Sequence, residues 1–290
     1  MTRRAVLASA FALLMAAVFV RLGVWQLHRL HQRRAWNALV ATRLRSAPVA
    51  FDALPADSAH RHYRLVRLAG TFDYDHEIAI ANRTRNGSPG VELLTPLRLE
   101  DGDTAVLVDR GWVYSPDAHT VNFALWREPA VAELVGYVDE FPTADQRELE
   151  RGDTALHAGQ RTWPRLDTVL LRRTLPYVLA DAYVVAIPDS AAAAHVAGAT
   201  RSPGAPTPAV PAARAARAIP VRAPETAGDS VRPPVRRTLP TLSDGPHLSY
   251  AIQWFFFAGV ALTAIFVLAR QERRRTREIR ERHPELWSEE

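Results

Sequence analysis

Two long apolar blocks, one near each end of the 290-residue chain, restrict the fold before anything else does. Ala5 to Val20 is an unbroken run of Ala, Val, Leu, Phe, Met and Ser. It reaches the ~20 residues needed to cross a bilayer core if it continues through Arg21 to Trp25. Tyr250 to Ala269 is nearly continuous, with the Phe255 to Phe257 triplet, Val260 to Leu262 and Ile265 to Leu268, and it reads as a second span. Trp25, Tyr250 and Trp254 suit the interfacial aromatic belt, and Arg21 can snorkel toward head groups. The first block also fits a cleaved signal peptide, because Thr2, Arg3 and Arg4 give a charged start and Ala8 to Ala17 is rich in small residues. Against cleavage, Leu22, Val24, Trp25 and Leu27 carry the apolar character onward.

The run from Arg270 to Arg282 directly follows the second block and marks that flank as cytoplasmic. Two spans return the N-terminus to the same side, so residues 26 to 249 are expected to face away from the cytoplasm. The first block argues locally for the reverse: Arg29, Arg33 and Arg34 on its outer flank outnumber Arg3 and Arg4. All 36 basic residues are arginine and the net charge is only +5. With the densest basic run spent on a membrane flank, nothing suggests a nucleic-acid partner. The absence of cysteine excludes disulfides, thiolate metal sites and thiol nucleophiles.

Between the blocks, Leu27 to Leu44 has helical composition and then a series of strands begins. Tyr63–Phe72, His76–Ala81, Val91–Leu99, Thr104–Val113 and Val131–Val138 are rich in Val, Leu, Ile and Tyr and are separated by Asp, Asn, Gly and Pro clusters. Asn86 to Gly90 is a turn signal, and Asp101-Gly102-Asp103 signals a hairpin. A short helix near Asp167–Arg173 precedes a last strand at Tyr183–Ile187. The expected fold is therefore two transmembrane α-helices, N- and C-terminal, flanking a β-rich, barrel-like α+β extracytoplasmic domain. From Pro188 to Asp244 the composition shifts to Ala, Pro, Gly, Ser and Arg, which reads as a flexible linker without a chemical motif. The expected organisation is residues 1–25 for the first span, 26–188 for the domain, 189–245 for the linker, 246–269 for the second span and 270–290 for a basic tail.

Blocks spread along this layout resemble, in order, the Surfeit locus protein 1 family of cytochrome c oxidase assembly factors. They are Leu22-Gly23-Val24-Trp25-Gln26-Leu27-His28-Arg29; Arg83 with the Gly87 to Gly90 loop; Thr95-Pro96-Leu97; Val106 to Val113, containing Asp109-Arg110-Gly111-Trp112; and His247-Leu248-Ser249-Tyr250-Ala251-Ile252-Gln253-Trp254. Relatives commonly carry Asn at the position of Asp109, an Asn pair or similar where this chain has Gly245-Pro246, and a shorter connection before the second span. The resemblance implies a membrane assembly factor that binds or presents haem a for insertion into subunit I of a haem-copper oxidase. It implies contact with that subunit and with haem a synthase, and an open question of monomer or homo-oligomer; a lysine-free, arginine-rich chain in such a family suggests a bacterial plasma membrane with both termini cytoplasmic, the mitochondrial inner membrane being the alternative. A cofactor-free scaffold for nascent oxidase subunits is the alternative.

On that reading His247, just ahead of the apolar run, is the candidate metal ligand, since a neutral imidazole is a common axial ligand of haem iron. It can equally be an interfacial histidine that bonds the helix start. Trp25, Gln26 and Arg29, with His28, would approach it from the first span, Arg29 pairing a propionate. Snorkelling and belt anchoring explain Arg29 and Trp25 without a cofactor. Asp109 and Arg110 are adjacent in a strand, point to opposite faces and are no acid–base couple, so their motif reads as structural. His60 and His62, read on one strand face, lack a third ligand. Gly87 and Gly90 with Arg83 and Arg85 lack the Gly-Lys-Ser/Thr core of a phosphate loop. No enzyme is proposed; a deep polar pocket in the domain lined by His119, Asp117 or other titratable groups would reopen that question, as a membrane-tethered catalytic module.

Overall fold

The computed structural model describes residues 3–100, 103–142, 160–193 and 233–282. They fall into two units, Met1–Ala41 with Thr241–Glu290, and Thr42–Pro240.

The first unit is a pair of helices, α1 (Arg3–Arg45) and the C-terminal α4 (His247–Arg282). No proline interrupts the chain between Arg3 and Pro48, so α1 continues past the expected span as one helix of 43 residues, ~65 Å long. The second helix likewise runs beyond Ala269 to Arg282, because its Arg- and Glu-rich continuation consists of good helix formers. Large apolar side chains stand exposed along both, among them Leu7, Phe11, Leu14 and Val18 on α1 and Ile252, Phe256, Val260 and Phe266 on α4. Only 11% of each most apolar stretch is buried. Such surface is stable in lipid and not in water. Between the helices Gly23 lies against the Phe255 ring, and the small residues Ala16, Ala251 and Ala258 are buried. Phe19 stacks on Trp254 with centroids 5.8 Å apart and meets Phe257 at 5.8 Å. Close approach through small residues is how helices associate where no hydrophobic drive exists.

The second unit is built on eight strands: β1 (Val49–Ala50), β2 (Leu65–Phe72), β3 (Ile78–Arg85), β4 (Ser88–Leu99), β5 (Thr104–Tyr114), β6 (Val131–Glu140), β7 (Thr162–Trp163) and β8 (Val178–Ala186). Their order is β1-β2-β6-β8-β5-β4-β3-β7, and an additional β2–β4 pairing closes β2, β6, β8, β5 and β4 into a ring. Alternation along β5 shows how the sequence builds it. Val106 and Val108 join the interior cluster of Val66, Leu68, Phe72, Leu97, Val138 and Val184, whereas Leu107 faces outward to Ile78, Ile80, Leu171 and Leu175. Leu171 and its neighbours belong to α3 (Thr168–Thr174), capped by Asp167, whose carboxylate accepts from the Val169 and Leu170 N–H groups. The β3–β4 hairpin turns through Asn86 and Gly87, both at positive φ as a tight two-residue turn requires. A bulge follows in β5: Gly111 pairs with Leu93 and Asp109 with Leu94, which leaves Arg110 opposite no residue of β4.

Several expectations are corrected. The last strand begins at Val178, five residues earlier than expected, because its first half pairs with β5 at Thr104 and Ala105. His60 lies on α2 (Ser58–Arg61), a single turn capped by Asp57, and so shares no strand face with His62. Residues 194–232 of the expected linker lie outside the described residues, as does most of the Asp101–Asp103 turn. Of the described end of the linker, Pro233 to Pro240 belongs to the β unit, where Val235 forms an antiparallel bridge with Trp112, and Thr241 to Gly245 belongs to the helix pair.

Candidate functional site

The helix pair runs antiparallel, since Phe19 meets Trp254 and Phe257 while Gln26, two turns further along α1, meets His247 at the head of α4. His247 Nδ1 lies 2.9 Å from Gln26 Oε1. Gln26 is buried, at 9% exposure, and His247 is partly exposed. The amide oxygen is an acceptor only, so this contact places a proton on Nδ1, and in the neutral imidazole Nε2 is then the nitrogen that carries the lone pair. A neutral imidazole whose second nitrogen is fixed by an acceptor is the usual state of a metal-binding histidine.

The chain reaches His247 through a clamped turn. Gly245 takes φ +68, and its N–H donates to Ser243 Oγ at 3.1 Å. From α1, Arg33 Nε donates to the Ser243 carbonyl at 3.2 Å, Asn37 Nδ2 to the same oxygen at 3.0 Å, and Arg34 Nε to Asp244 Oδ2 at 2.8 Å. Two of the three arginines that oppose the expected topology are thus held in the connection to α4. Reading them as free flank charges missed this, because the partners are about 210 residues away in sequence.

Of the four expected site residues, the structure joins two. Gln26 and His247 are bonded, whereas Trp25 and Arg29, one turn apart on α1, pair with each other, the guanidinium carbon 5.5 Å from the indole centroid. Arg29 also donates to Gln32 Oε1 at 3.4 Å. Trp25 is half exposed and His28 exposed. Trp25 and Arg29 therefore form a cationic, aromatic patch one helix position away from Gln26, with no contact to His247 among the described residues.

A second concentration of chemistry lies in the β unit and was not expected. Arg110 is wholly buried beside Phe72 and Tyr74, its guanidinium carbon 5.4 and 5.0 Å from their centroids. It donates to Glu77 and the Trp126 carbonyl, and to Glu128 at 2.9 Å. On the opposite face of β5, Asp109 accepts from the Gly111 N–H at 2.9 Å and lies 3.2 Å from Arg237 Nε. Burial, reinforced by the Glu92 charge, pushes the Asp109 carboxyl up to about 7 against the pull of Arg237. Two carboxylates share Arg237, and one added proton lowers their mutual repulsion. Burial opposes the Arg237 charge, yet Asp109 and Glu92 outweigh it and keep the guanidinium firmly protonated. These groups wall a polar cavity of about 520 Å³ together with Arg83, Asp139, Glu140 and Tyr183. His119 and Asp117 do not line it, but its walls of other titratable groups make it a polar pocket of the kind that would reopen the enzyme question. Asp117 instead organises the loop after β5 by accepting from Ser115, Thr120 and the His119 N–H, bonds that hold its carboxyl well below the usual range. His62 pairs with Asp139 at 3.1 Å and His60 with Asp57 at 2.6 Å.

Two membrane-length helices in antiparallel contact, with a closed five-strand β ring in the chain between them, define a two-span membrane protein with a barrel-like domain. A model of the SURF1 family matches residues 13–259, and the chain belongs to that family. It is 32% identical over 176 residues to a SURF1-like protein of Monosiga brevicollis, covering 56% of this chain and 64% of that one. It is 31% identical over 144 residues to a SURF1-like protein of Drosophila melanogaster, covering 44% and 48%. With the cytochrome oxidase assembly protein SHY1 of Saccharomyces cerevisiae it shares 30% identity over 126 residues, covering 41% and 32%. The chain thus spans about half the length of the curated relatives it matches.

Proposed function

We propose that this protein is an assembly factor for a haem-copper cytochrome c oxidase that holds haem a at the head of its second span and presents it to subunit I. The observation that carries the reading is the buried Gln26 acceptor that fixes His247 with Nε2 as its lone-pair nitrogen. Nε2 would serve as axial ligand, and the patch of Arg29 on Trp25 would receive a propionate and a porphyrin edge. The bound iron porphyrin itself supplies the redox and ligand chemistry of the finished oxidase. This chain's residues bind and orient, and no catalytic step is assigned to them. The yeast relative's name, an oxidase assembly protein, supports the wider role. Subunit I and haem a synthase are the partners this reading requires.

The same reading places both termini in the cytoplasm of a bacterium and the β domain outside its plasma membrane. The Arg270–Arg282 run supports this, and Arg33 and Arg34, already engaged with Ser243 and Asp244, count less against it. A cofactor-free scaffold for oxidase subunits is the second reading, favoured by the fact that the Gln26–His247 bond would equally serve to fasten α4 to α1.

The test is an absorbance spectrum of the detergent-purified protein from cells that make haem a, for the native chain and for His247→Ala. A haem a band present in the first and lost in the second is expected. No band in either, or an equal band in both, refutes His247 as the ligand, and retained capture of subunit I without any band leaves the scaffold.

A further inference from the structure

The second half of β5 and the segment Pro233 to Pro240 interlock in a way that the helix-pair site does not use. β5 pairs with β8 only as far as Asp109, so beyond that residue its edge away from β4 is open. Trp112 completes its bonding there with Val235: its N–H donates to the Val235 carbonyl at 3.0 Å, and the Val235 N–H donates back at 2.8 Å. The approach is so close that a Cβ on Gly111 would lie 2.5 Å from the Val235 oxygen and 2.7 Å from its carbonyl carbon, while Gly111 itself takes φ +121. Only glycine meets both conditions.

Successive side chains of an extended segment point to opposite sides. Arg236 donates to Glu128 and to the Arg110 carbonyl, and Arg237 to Glu92, with Asp109 at 3.2 Å. Asp109 on one face of β5, and Glu128, which pairs with Arg110 on the other, are thus each met by one arginine of the strap. Each guanidinium bridges two acceptors, a geometry that its planar fork permits and a lysine ammonium does not reproduce. With the strap in place the acidic partners are mostly buried, with side-chain exposures of 12% for Glu92, 3% for Asp109 and 15% for Glu128. Pro233 and Pro234 keep the approach to Val235 extended, and Pro240 bounds the segment.

We propose that the open edge of β5, with Glu92, Asp109 and Glu128, is a strand-addition site for an extended segment bearing two adjacent arginines, occupied reversibly by the chain's own residues 234–237. Docking sets the length of the tether to the second span. Nine residues lie between Arg237 and His247, at most ~35 Å of extended chain. Measured from Ala186, where β8 ends, sixty residues lie between, at most ~210 Å. Release of the strap therefore lengthens the covalent tether between the β domain and α4, whether or not His247 holds a cofactor, while Arg33, Arg34 and Asn37 still tie Ser243 and Asp244 to α1.

Hydrogen exchange of the full chain in detergent, read by mass spectrometry, tests this together with a labelled peptide of residues 233–240. In the native chain the Trp112 and Val235 amides should be protected. In Arg236→Gln/Arg237→Gln both should exchange at least tenfold faster while β2 and β6 amides, which report the intact barrel, stay unchanged. The free peptide should bind that variant and not the native chain, and a peptide with lysine at both arginine positions should bind at least tenfold more weakly. Unchanged protection in the variant overturns the proposal, as does a peptide that binds neither protein or binds both equally. Glu92→Gln/Glu128→Gln, altered only on the receptor side, should lose the same two protected amides; full retention there also overturns it.

Discussion

The wholly buried Arg110 offers the sharpest test of how the β unit is held together. Arg110 and Glu77 both have no exposed side-chain surface, and Glu128 has 15%. With Arg110→Met, Glu77 keeps, among the described residues, only the Thr95 hydroxyl at 2.8 Å and Arg161 at 3.8 Å. Breaking a buried pair by removing one partner costs about 3–5 kcal/mol, because the remaining charge is stranded. For a domain of this size that is on the order of 10 °C in Tm, at roughly 2–4 °C per kcal/mol. Replacing both partners, Glu77→Leu/Arg110→Met, should recover about 2 kcal/mol or more, since Glu128 still has Arg236. The pH dependence gives a second signature. Burial already pushes the Glu77 carboxyl above its usual range, against the pull of Arg110. Loss of Arg110 raises it further, so the folded state holds a proton that the unfolded state has released. Stability then falls as pH rises from the unfolded value through the folded one, and the defect of Arg110→Met should be smaller at pH 5 than at pH 8. Thermal unfolding followed by near-UV circular dichroism at both pH values is the assay. If the single variant loses less than about 1 kcal/mol, or the double variant is as unstable as the single, the buried pair is not what holds this part of the fold.

Two further outcomes follow from the same geometry. Gln26→Leu removes the acceptor that sets the His247 tautomer, so haem a retention should drop by roughly fivefold, the worth of one ordinary hydrogen bond, while Gln26→Glu, which keeps an acceptor, should retain the band; titrated haem absorbance distinguishes them. Asp109, faced by Glu92, Arg236, Arg237, Tyr137 and Tyr183, is raised above its unfolded value, so it binds a proton on folding; native stability should therefore decline between about pH 4 and about 7 relative to Asp109→Asn, and parallel pH–stability curves for the two would refute the burial argument.

What could be read in the sequence and what could not divide along the range of the interactions. The two spans, the strands from Leu65 to Glu140 and α3 carry their signals within a few residues, as apolar runs, alternation and an Asp cap. Ring closure through β2–β4 leaves no such mark, because Gly70 and Leu99 are partners only in three dimensions. The Gln26–His247 contact was half visible: antiparallel spans bring those ends to one membrane face, but which α1 side chain meets the imidazole depends on helix rotation. Arg236 and Arg237 were invisible for a different reason. They end a tract whose Ala, Pro and Arg composition suppresses any periodic signal, and their partners Glu92 and Glu128 are 145 and 108 residues away. The one local clue was Pro233-Pro234-Val235-Arg236-Arg237-Thr238-Leu239, where apolar residues return between prolines.

Composition, too, acquires a meaning that the sequence alone did not give it. A basic complement made wholly of arginine says little about partners, yet in the β unit the buried and half-buried guanidiniums act as multi-point ties. Arg61 grips Glu140 through two nitrogens at 2.9 Å and also reaches the Ala56 carbonyl. Arg43 joins the carbonyls of Ala59 and His62, and Arg161 those of Tyr74 and Glu77 while lying 4.1 Å from the Phe123 centroid. Lysine at any of these positions keeps the charge and loses the fork, leaving main-chain oxygens without donors. With no cysteine available for cross-links, these ties fix segments that carry little regular structure, α2, the β2–β3 turn and the strand β7 among them, onto the ring. The strap at Arg236 and Arg237 uses the same device. It differs in being covalently continuous with the second span, so it is the tie whose release would alter the chain's reach.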